Sequence, residues 1–183
     1  MTAALRKYYP RAYVDSVFSI NYEKLCSMGF KAVIFDIDNT LVHHGDNSNQ
    51  KVDALFRHIH STGLKTLLLT NNDKERVLRF VKNIDTLYIC DADKPETSGY
   101  QRALHMLGVS RKEAICIGDQ LFTDIAGANR SGIPSILVHY IQRPGQRIGK
   151  KRYIEKLILF IWRHDRAAKK LKNICIQPTE VQS

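Results

Sequence analysis

Between Lys31 and Tyr140, short apolar runs alternate with longer segments whose apolar residues recur every three to four positions. Short runs bounded by polar turns read as buried strands, and the longer recurrence reads as helices laid on them. The runs are Ala32 to Phe35, Thr66 to Leu69, Leu87 to Cys90, Ala114 to Ile117 and Ser135 to Val138. Between them, Val52, Leu55, Phe56 and Ile59 share one helical face, as do Tyr100, Ala103, Leu104 and Leu107, and both faces are expected in the core. Ser48 is placed to cap the first of these helices, Gly63 and Gly108 to end helices, and Pro95 to stand at a helix start. Strands and helices in this order predict an α/β fold with a doubly wound, Rossmann-like parallel sheet of five strands. Ligands of such sheets bind outside the carboxyl ends of the strands, so chemistry is sought just after each run.

Four of the five runs end in polar, charge-bearing residues. The first leads into Phe35-Asp36-Ile37-Asp38-Asn39-Thr40-Leu41, and the second into Thr70-Asn71-Asn72. The third leads into Asp91-Ala92-Asp93-Lys94-Pro95, and the fourth into Gly118-Asp119-Gln120-Leu121-Phe122-Thr123-Asp124. Taken singly, each has an ordinary explanation: Asp-x-Asp-Asn as a turn, Thr-Asn-Asn as a helix cap, Lys94 as a solvated lysine, Gly-Asp as a turn. Together and in order, they are sufficient for phosphoryl transfer. Asp36 can attack phosphorus, provided a hard cation offsets the repulsion between two anions; Asp36 and Asp119, with a backbone carbonyl and waters, make an oxygen-rich magnesium site. Lys94, Thr70 and nearby amides would bind the phosphoryl oxygens, and Asp38 would serve as general acid and then base.

These four motifs resemble those of the haloacid dehalogenase (HAD) superfamily, over the stretch from Lys31 to Tyr140. The resemblance implies a phosphatase with Asp36 as nucleophile, Asp38 as acid/base and Thr70 and Lys94 as phosphate binders, with Asn71 beside them. It implies Mg2+ as cofactor, with Asp36, Asp38 and Asp119 as the metal residues and Asp124 as a carboxylate at the edge of the metal shell. The segments from Leu41 to Thr70 and from Asn71 to Lys94 are used up by their own crossover helices, which leaves no room for an inserted cap domain. The Gly118 to Asp124 motif, the short crossovers and the opening Tyr8-Tyr9-Pro10-Arg11-Ala12-Tyr13-Val14 resemble the YqeG-type subgroup, related to phosphatidylglycerophosphate phosphatases. That likeness implies a lipid phosphomonoester, phosphatidylglycerophosphate, as substrate.

Charge changes the picture only once it is located. The chain carries a formal +10, and residues 142 to 172 hold eleven Lys/Arg against Glu155 and Asp165, which is +9 of that total. A nearly neutral body with a basic tail points to a polyanionic partner for the tail. Leu157 to Trp162 lies among these cations, so residues 150 to 172 are expected to contact an anionic membrane peripherally, unless Ile154, Leu157, Ile158 and Ile161 pack on the body. Nucleic acid is the weaker alternative, for want of an aromatic stacking platform. The expected organisation is an N-terminal extension (1–30) on a catalytic core (31–141), followed by a basic amphipathic helix and tail (142–183). Four scattered cysteines without a CxxC pair, and no signal-like or membrane-spanning run, lead to an expectation of a cytoplasmic protein at the inner face of the membrane. His43 and His44 read as exposed loop residues. The alternatives in function are a phosphatase of soluble esters such as sugar phosphates or nucleotides, and a non-enzymatic RNA- or protein-binding adaptor on the same fold.

Overall fold

The computed structural model describes residues 2–145 and 149–176; Arg147 of the basic segment and residues 177–183 of the expected tail lie outside the described residues. In chain order the elements are α1 (Thr2–Leu5), β1 (Ala12–Val14), α2 (Tyr22–Ser27), β2 (Ala32–Phe35), α3 (Gln50–Ser61), β3 (Lys65–Leu69) and α4 (Lys74–Phe80). They continue with β4 (Leu87–Ile89), α5 (Thr97–Leu107), β5 (Ala114–Gly118), α6 (Ala126–Arg130), β6 (Ser135–Val138) and α7 (Lys150–His164).

The strands form one parallel sheet in the order β1-β6-β5-β2-β3-β4. It has six strands where the sequence pattern gives five. The additional strand is β1, which pairs with β6 through Ala12 with Ile136 and Val14 with Val138. Three residues give too short an alternation to be told from a loop, and tertiary pairing decides the matter.

Alternation along each strand builds the two faces. Val33 and Phe35 of β2, Ile115 and Ile117 of β5 and Ile136 and Val138 of β6 point into one core layer, with Tyr22 and Leu25 of α2, the face of α3, and Val77 and Phe80 of α4. Ala32, Ile34, Leu67, Leu69, Ala114 and Cys116 point the other way, onto Tyr100, Ala103 and Leu107 of α5 and Ala128 of α6. Phe35 is fully buried with its ring 5.5 Å from Phe56. Truncating such a residue costs about 3–5 kcal/mol, so the strand end that carries Asp36 is firmly held.

Local signals resolve at residue level. Asn49, and not Ser48, caps α3: its Oδ1 accepts from Val52 N at 3.1 Å, while the Ser48 hydroxyl donates to the Asp53 carboxylate. Either residue type can cap, and the register of the first turn decides. Gly108 ends α5 at φ +65°, where a side chain would be strained. Pro95 lies two residues ahead of α5, whose cap position is Glu96.

α7 lies against Tyr9, Leu121, Ile125 and Leu137 through Ile158 and Trp162, with Glu155 buried on the same face. Ile158 is the one fully buried residue of the four apolar positions considered from sequence; Ile161 is half-buried and Ile154 and Leu157 are exposed. Tyr153, Ile154, Leu157 and Phe160 stand 54–63% exposed on the outer side. Among the described residues, no helix is long and apolar enough to cross a membrane.

Candidate active site

The strand order reverses between β2 and β5: from β2 the chain goes on to β3 on one side, and from β5 to β6 on the other. Crossovers diverge at such a point and open a crevice at the carboxyl ends. Asp36 and Asp119 are the first residues past these two strands. The Asp36 amide still donates to Ile117 O at 3.0 Å, which fixes its backbone to the neighbouring strand. Thr40 Oγ1 lies 3.3 Å from both Asp36 Oδ2 and Asp119 Oδ1, its hydroxyl donating to one or the other.

Asp124 joins them. Gly118 has no side chain, and Asp124, on the π-helical turn Leu121–Ile125, folds back over it; its Oδ2 accepts from Gln120 N at 3.0 Å. Lys94 Nζ then donates to Asp36 Oδ1 at 2.6 Å and to Asp124 Oδ1 at 2.7 Å, with only 4% of its side chain exposed. The lysine is delivered by two loops zipped together: Asp91 N donates to Asn72 O at 2.9 Å and Ala92 N to Thr70 O at 3.0 Å. The Asn71 side chain brackets Lys94 itself, accepting from its N at 2.7 Å and donating to its O at 3.1 Å.

Asp38 is brought to the same cleft, but its carboxylate turns away from the other three. Asn39, at φ +61°, bends the chain there. Asp38 accepts from Gly45 N at 2.9 Å, Asn72 Nδ2 at 2.5 Å and Arg76 Nη2 at 2.9 Å, with His44 Nδ1 3.6 Å away. Thr70 is buried with its Oγ1 accepting from Asn72 N at 3.2 Å. Asp36, Asp38, Thr70, Asn71, Lys94 and Asp124 all line one cleft of about 220 Å³. Among the sequence-derived metal residues, Asp36 and Asp119 approach one another and Asp38's carboxylate does not; the group with ligand oxygens within 4.8 Å of one another is Asp36, Asp119 and Asp124.

Burial pushes the Asp36 carboxyl up to about 6, with Lys94 drawing it down and Asp124 opposing. Burial likewise pushes Asp119 up to about 8, reinforced by Asp124 and Asp36 against the pull of Arg152. Burial would lower Lys94, but Asp124 and Asp36 outweigh it and the amine is raised. At Asp38 burial also acts upward, yet the Gly45 amide, Asn72 and Arg76 prevail and hold the carboxyl below its usual value. A buried set of three carboxylates against one lysine lacks two positive charges when all are ionised. An all-oxygen donor set with that deficit fits a hard divalent cation.

Three residues at the site were not singled out from sequence: Thr40, Arg76 and Arg152. Arg76, 6% exposed on α4, also donates to Asp46 O at 2.7 Å. Arg152 reaches from α7 to the Asp119 carboxylate. The available signal for Arg76 was its place on the buried face of α4 beside Val77 and Phe80.

An α/β sheet with acid residues at its switch point, a buried lysine on the third loop and no domain inserted in the crossovers defines a class, and comparison with known proteins agrees. The chain belongs to the haloacid dehalogenase-like hydrolases, among phosphatases of the YqeG type. The HAD-hydrolase-like family model matches residues 92–141. Probable phosphatase YqeG of Bacillus subtilis (strain 168) is 34% identical over 136 residues, covering 73% of this chain and 79% of that protein. Phosphatidylglycerophosphate phosphatase 1, chloroplastic/mitochondrial, of Arabidopsis thaliana is 28% identical over 167 residues, 84% of this chain; the chain spans 47% of that longer relative. In fold, the chain is similar to an uncharacterized protein from Listeria monocytogenes serotype 4b, with TM-score 0.51 and 17% identity over 73% of this chain and 99% of that one. NagD from E. coli K-12 is similar at TM-score 0.50 and 16% identity, over 67% and 94% of the two chains.

Proposed function

We propose that this chain hydrolyses a phosphomonoester through a phosphorylated Asp36, with Mg2+ held by Asp36 and Asp119 and with Asp124 at the edge of the metal shell. The observation that carries this is the shared position of three buried carboxylates and Lys94 in one cleft at the switch point. Bound there, the ion would offset the anionic charge of carboxylate and phosphate and polarise the phosphoryl group. A backbone carbonyl of these loops and waters would complete the oxygen set, and Asp38 would take part through its carboxylate in proton transfer.

Asp36 attacks phosphorus as the bond to the leaving oxygen breaks, and Asp38 protonates that oxygen. A water then attacks the aspartyl phosphate; Asp38 takes its proton, phosphate leaves, and Asp36 is regenerated. The hydrogen bonds from Arg76 and Asn72 favour the ionised form of Asp38, the form that accepts the proton in the second half; for the first half Asp38 takes up a proton as the anionic substrate binds beside it. Lys94 holds Asp36 in place and faces the phosphoryl oxygens, and Thr70 and the Asn71 amide complete the phosphate pocket. Asn71 adds a positioning duty through its two bonds to the Lys94 backbone.

The substrate class we favour is a lipid phosphomonoester, phosphatidylglycerophosphate, giving phosphatidylglycerol. Support comes from the similarity to the Arabidopsis phosphatidylglycerophosphate phosphatase and from α7, whose outer apolar residues stand among Lys150, Lys151, Lys156 and Arg163, fit for peripheral contact with an anionic membrane through residues 150–172. The proposed organisation is a catalytic body (31–141), an N-terminal part (1–30) packed on it and a basic C-terminal part (142–183). The test is phosphate release from phosphatidylglycerophosphate in mixed micelles with Mg2+, beside a panel of soluble esters. Release abolished by Asp36→Asn and selective for the lipid supports the reading. Turnover of soluble esters alone gives the substrate to that class, and equal release by wild type and Asp36→Asn defeats the catalytic assignment and leaves the adaptor reading.

A further inference from the structure

α7 belongs to the sequence region read as a surface-binding tail, yet two of its residues turn inward and close on the loop that carries Asp119. Arg152 Nη1 donates to the Asp119 main-chain O at 2.6 Å, and its Nη2 donates to Asp119 Oδ2. One guanidinium thus grips the backbone and the side chain of a single residue. Glu155 braces the grip from the next turn of α7: Oε2 accepts from Arg152 Nη1 at 2.9 Å, and Oε1 accepts from Leu121 N at 2.9 Å, on the far side of Asp119. The guanidinium also lies over the Tyr140 ring, 4.4 Å from its centroid. Side-chain exposure is 16% for Arg152, 8% for Glu155 and none for Asp119.

Charge and geometry assign the grip its role. Arg152 and Glu155 form a neutral pair, so they leave the charge deficit of the three-carboxylate cluster where it was. The bond to Oδ2 fixes the rotation of the Asp119 carboxylate and leaves Oδ1 beside Thr40 Oγ1, on the side of Asp36. Outer partners that orient a ligating carboxylate commonly set metal affinity. We infer that Arg152 is a positioning residue for the divalent-cation site, and that α7, through Arg152 and Glu155, is an integral part of that site. This rests on the metal reading proposed above.

The test is direct binding of Mn2+ to the full chain, with free Mn2+ counted by EPR, for wild type, Arg152→Met, Arg152→Lys and Ile158→Ala. Arg152→Met keeps the aliphatic stem and removes the fork. Ile158→Ala loosens the packing of α7, where Ile158 is 3% exposed, without touching Asp119. The expected result is affinity weakened about 10- to 100-fold in Arg152→Met, partly restored in Arg152→Lys, and near wild type in Ile158→Ala. Arg152→Met binding as tightly as wild type, or more tightly, overturns the inference while leaving the metal reading intact. Equal weakening by Ile158→Ala also overturns it, by making the effect one of general packing. If wild type itself binds no Mn2+ at millimolar concentration, the metal reading falls first and the inference with it.

Discussion

Gly118→Ala is the most discriminating single change, because its sign depends on one close approach. At a glycine whose backbone suits any residue, alanine usually stabilises a protein by about 0.4–1 kcal/mol through the unfolded chain, and Gly118 is a strand residue without positive φ. A Cβ built there would lie 2.4 Å from Asp124 Cγ and 2.6 Å from its Oδ2. Carbon atoms pack at about 3.5–4.0 Å, so Asp124 must retreat by about 1 Å. Its bonds to Lys94 Nζ at 2.7 Å and Gln120 N at 3.0 Å would then stretch past the range of a good hydrogen bond. Overpacking of this kind costs about 1–3 kcal/mol, or about 2–4 °C of melting temperature per kcal/mol for a chain of this size. A misplacement of about 1 Å at a reacting centre costs on the order of 100-fold in rate. Urea unfolding and initial rates on p-nitrophenyl phosphate with Mg2+ measure both quantities on one preparation. An alanine variant that is as stable as wild type or more so, with full kcat/KM, refutes the role given to Asp124 and to the bare Cα beneath it.

Lys94→Met leaves Asp36 and Asp124 buried without their cation, and breaking such a pair costs about 3–5 kcal/mol, so melting should fall by roughly 6–20 °C with phosphate release lost; a shift under a degree would contradict the pairing. In metal-free protein, Asp36 and Asp119 hold protons to about 6 and about 8 that the unfolded chain has shed above the ordinary value of 3.8. The native state therefore binds more protons over that window, and stability falls as pH rises from 4 through 8; Mg2+ should flatten the slope, and a metal-free melting temperature rising from pH 5.5 to pH 8 would contradict it. Leu157→Ser with Phe160→Ser, both at about 60% exposure, should weaken flotation with anionic liposomes about tenfold or more without changing the melting temperature, and unchanged flotation removes α7 from the membrane contact.

The parts of the site legible in sequence are those whose position follows from strand ends alone. Asp36 and Asp119 come directly after apolar runs that end up adjacent in the sheet, so their meeting needs no knowledge of side-chain direction. Sequence puts Asp38 among the metal residues and Asp124 only at their edge, because which carboxylate turns toward the cluster depends on the bend at Asn39 and on the space above Gly118, which spacing does not show. Arg152 was hidden by its context: within Lys150-Lys151-Arg152 nothing local distinguishes the cation that turns inward from the two that stay in water. The same holds for α7 as a whole, whose apolar residues divide between two faces and whose inward face includes a glutamate. β1 escaped notice for want of length, its strand state being imposed by β6.

The grip of α7 on Asp119 also bears on how the molecule is made. Asp36 and Asp119 are separated in sequence by three of the six strands, β3 to β5, and the brace on Asp119 arrives a further 33 residues along, from Arg152. Chain made earlier can pack before later segments have emerged. A ribosome-bound intermediate with β1 to β6 already outside the exit tunnel would have its crevice in place but its aspartate unbraced. Full affinity for a cation would thus arrive only once residues 150 to 155 have left the tunnel and docked on the loop of Asp119.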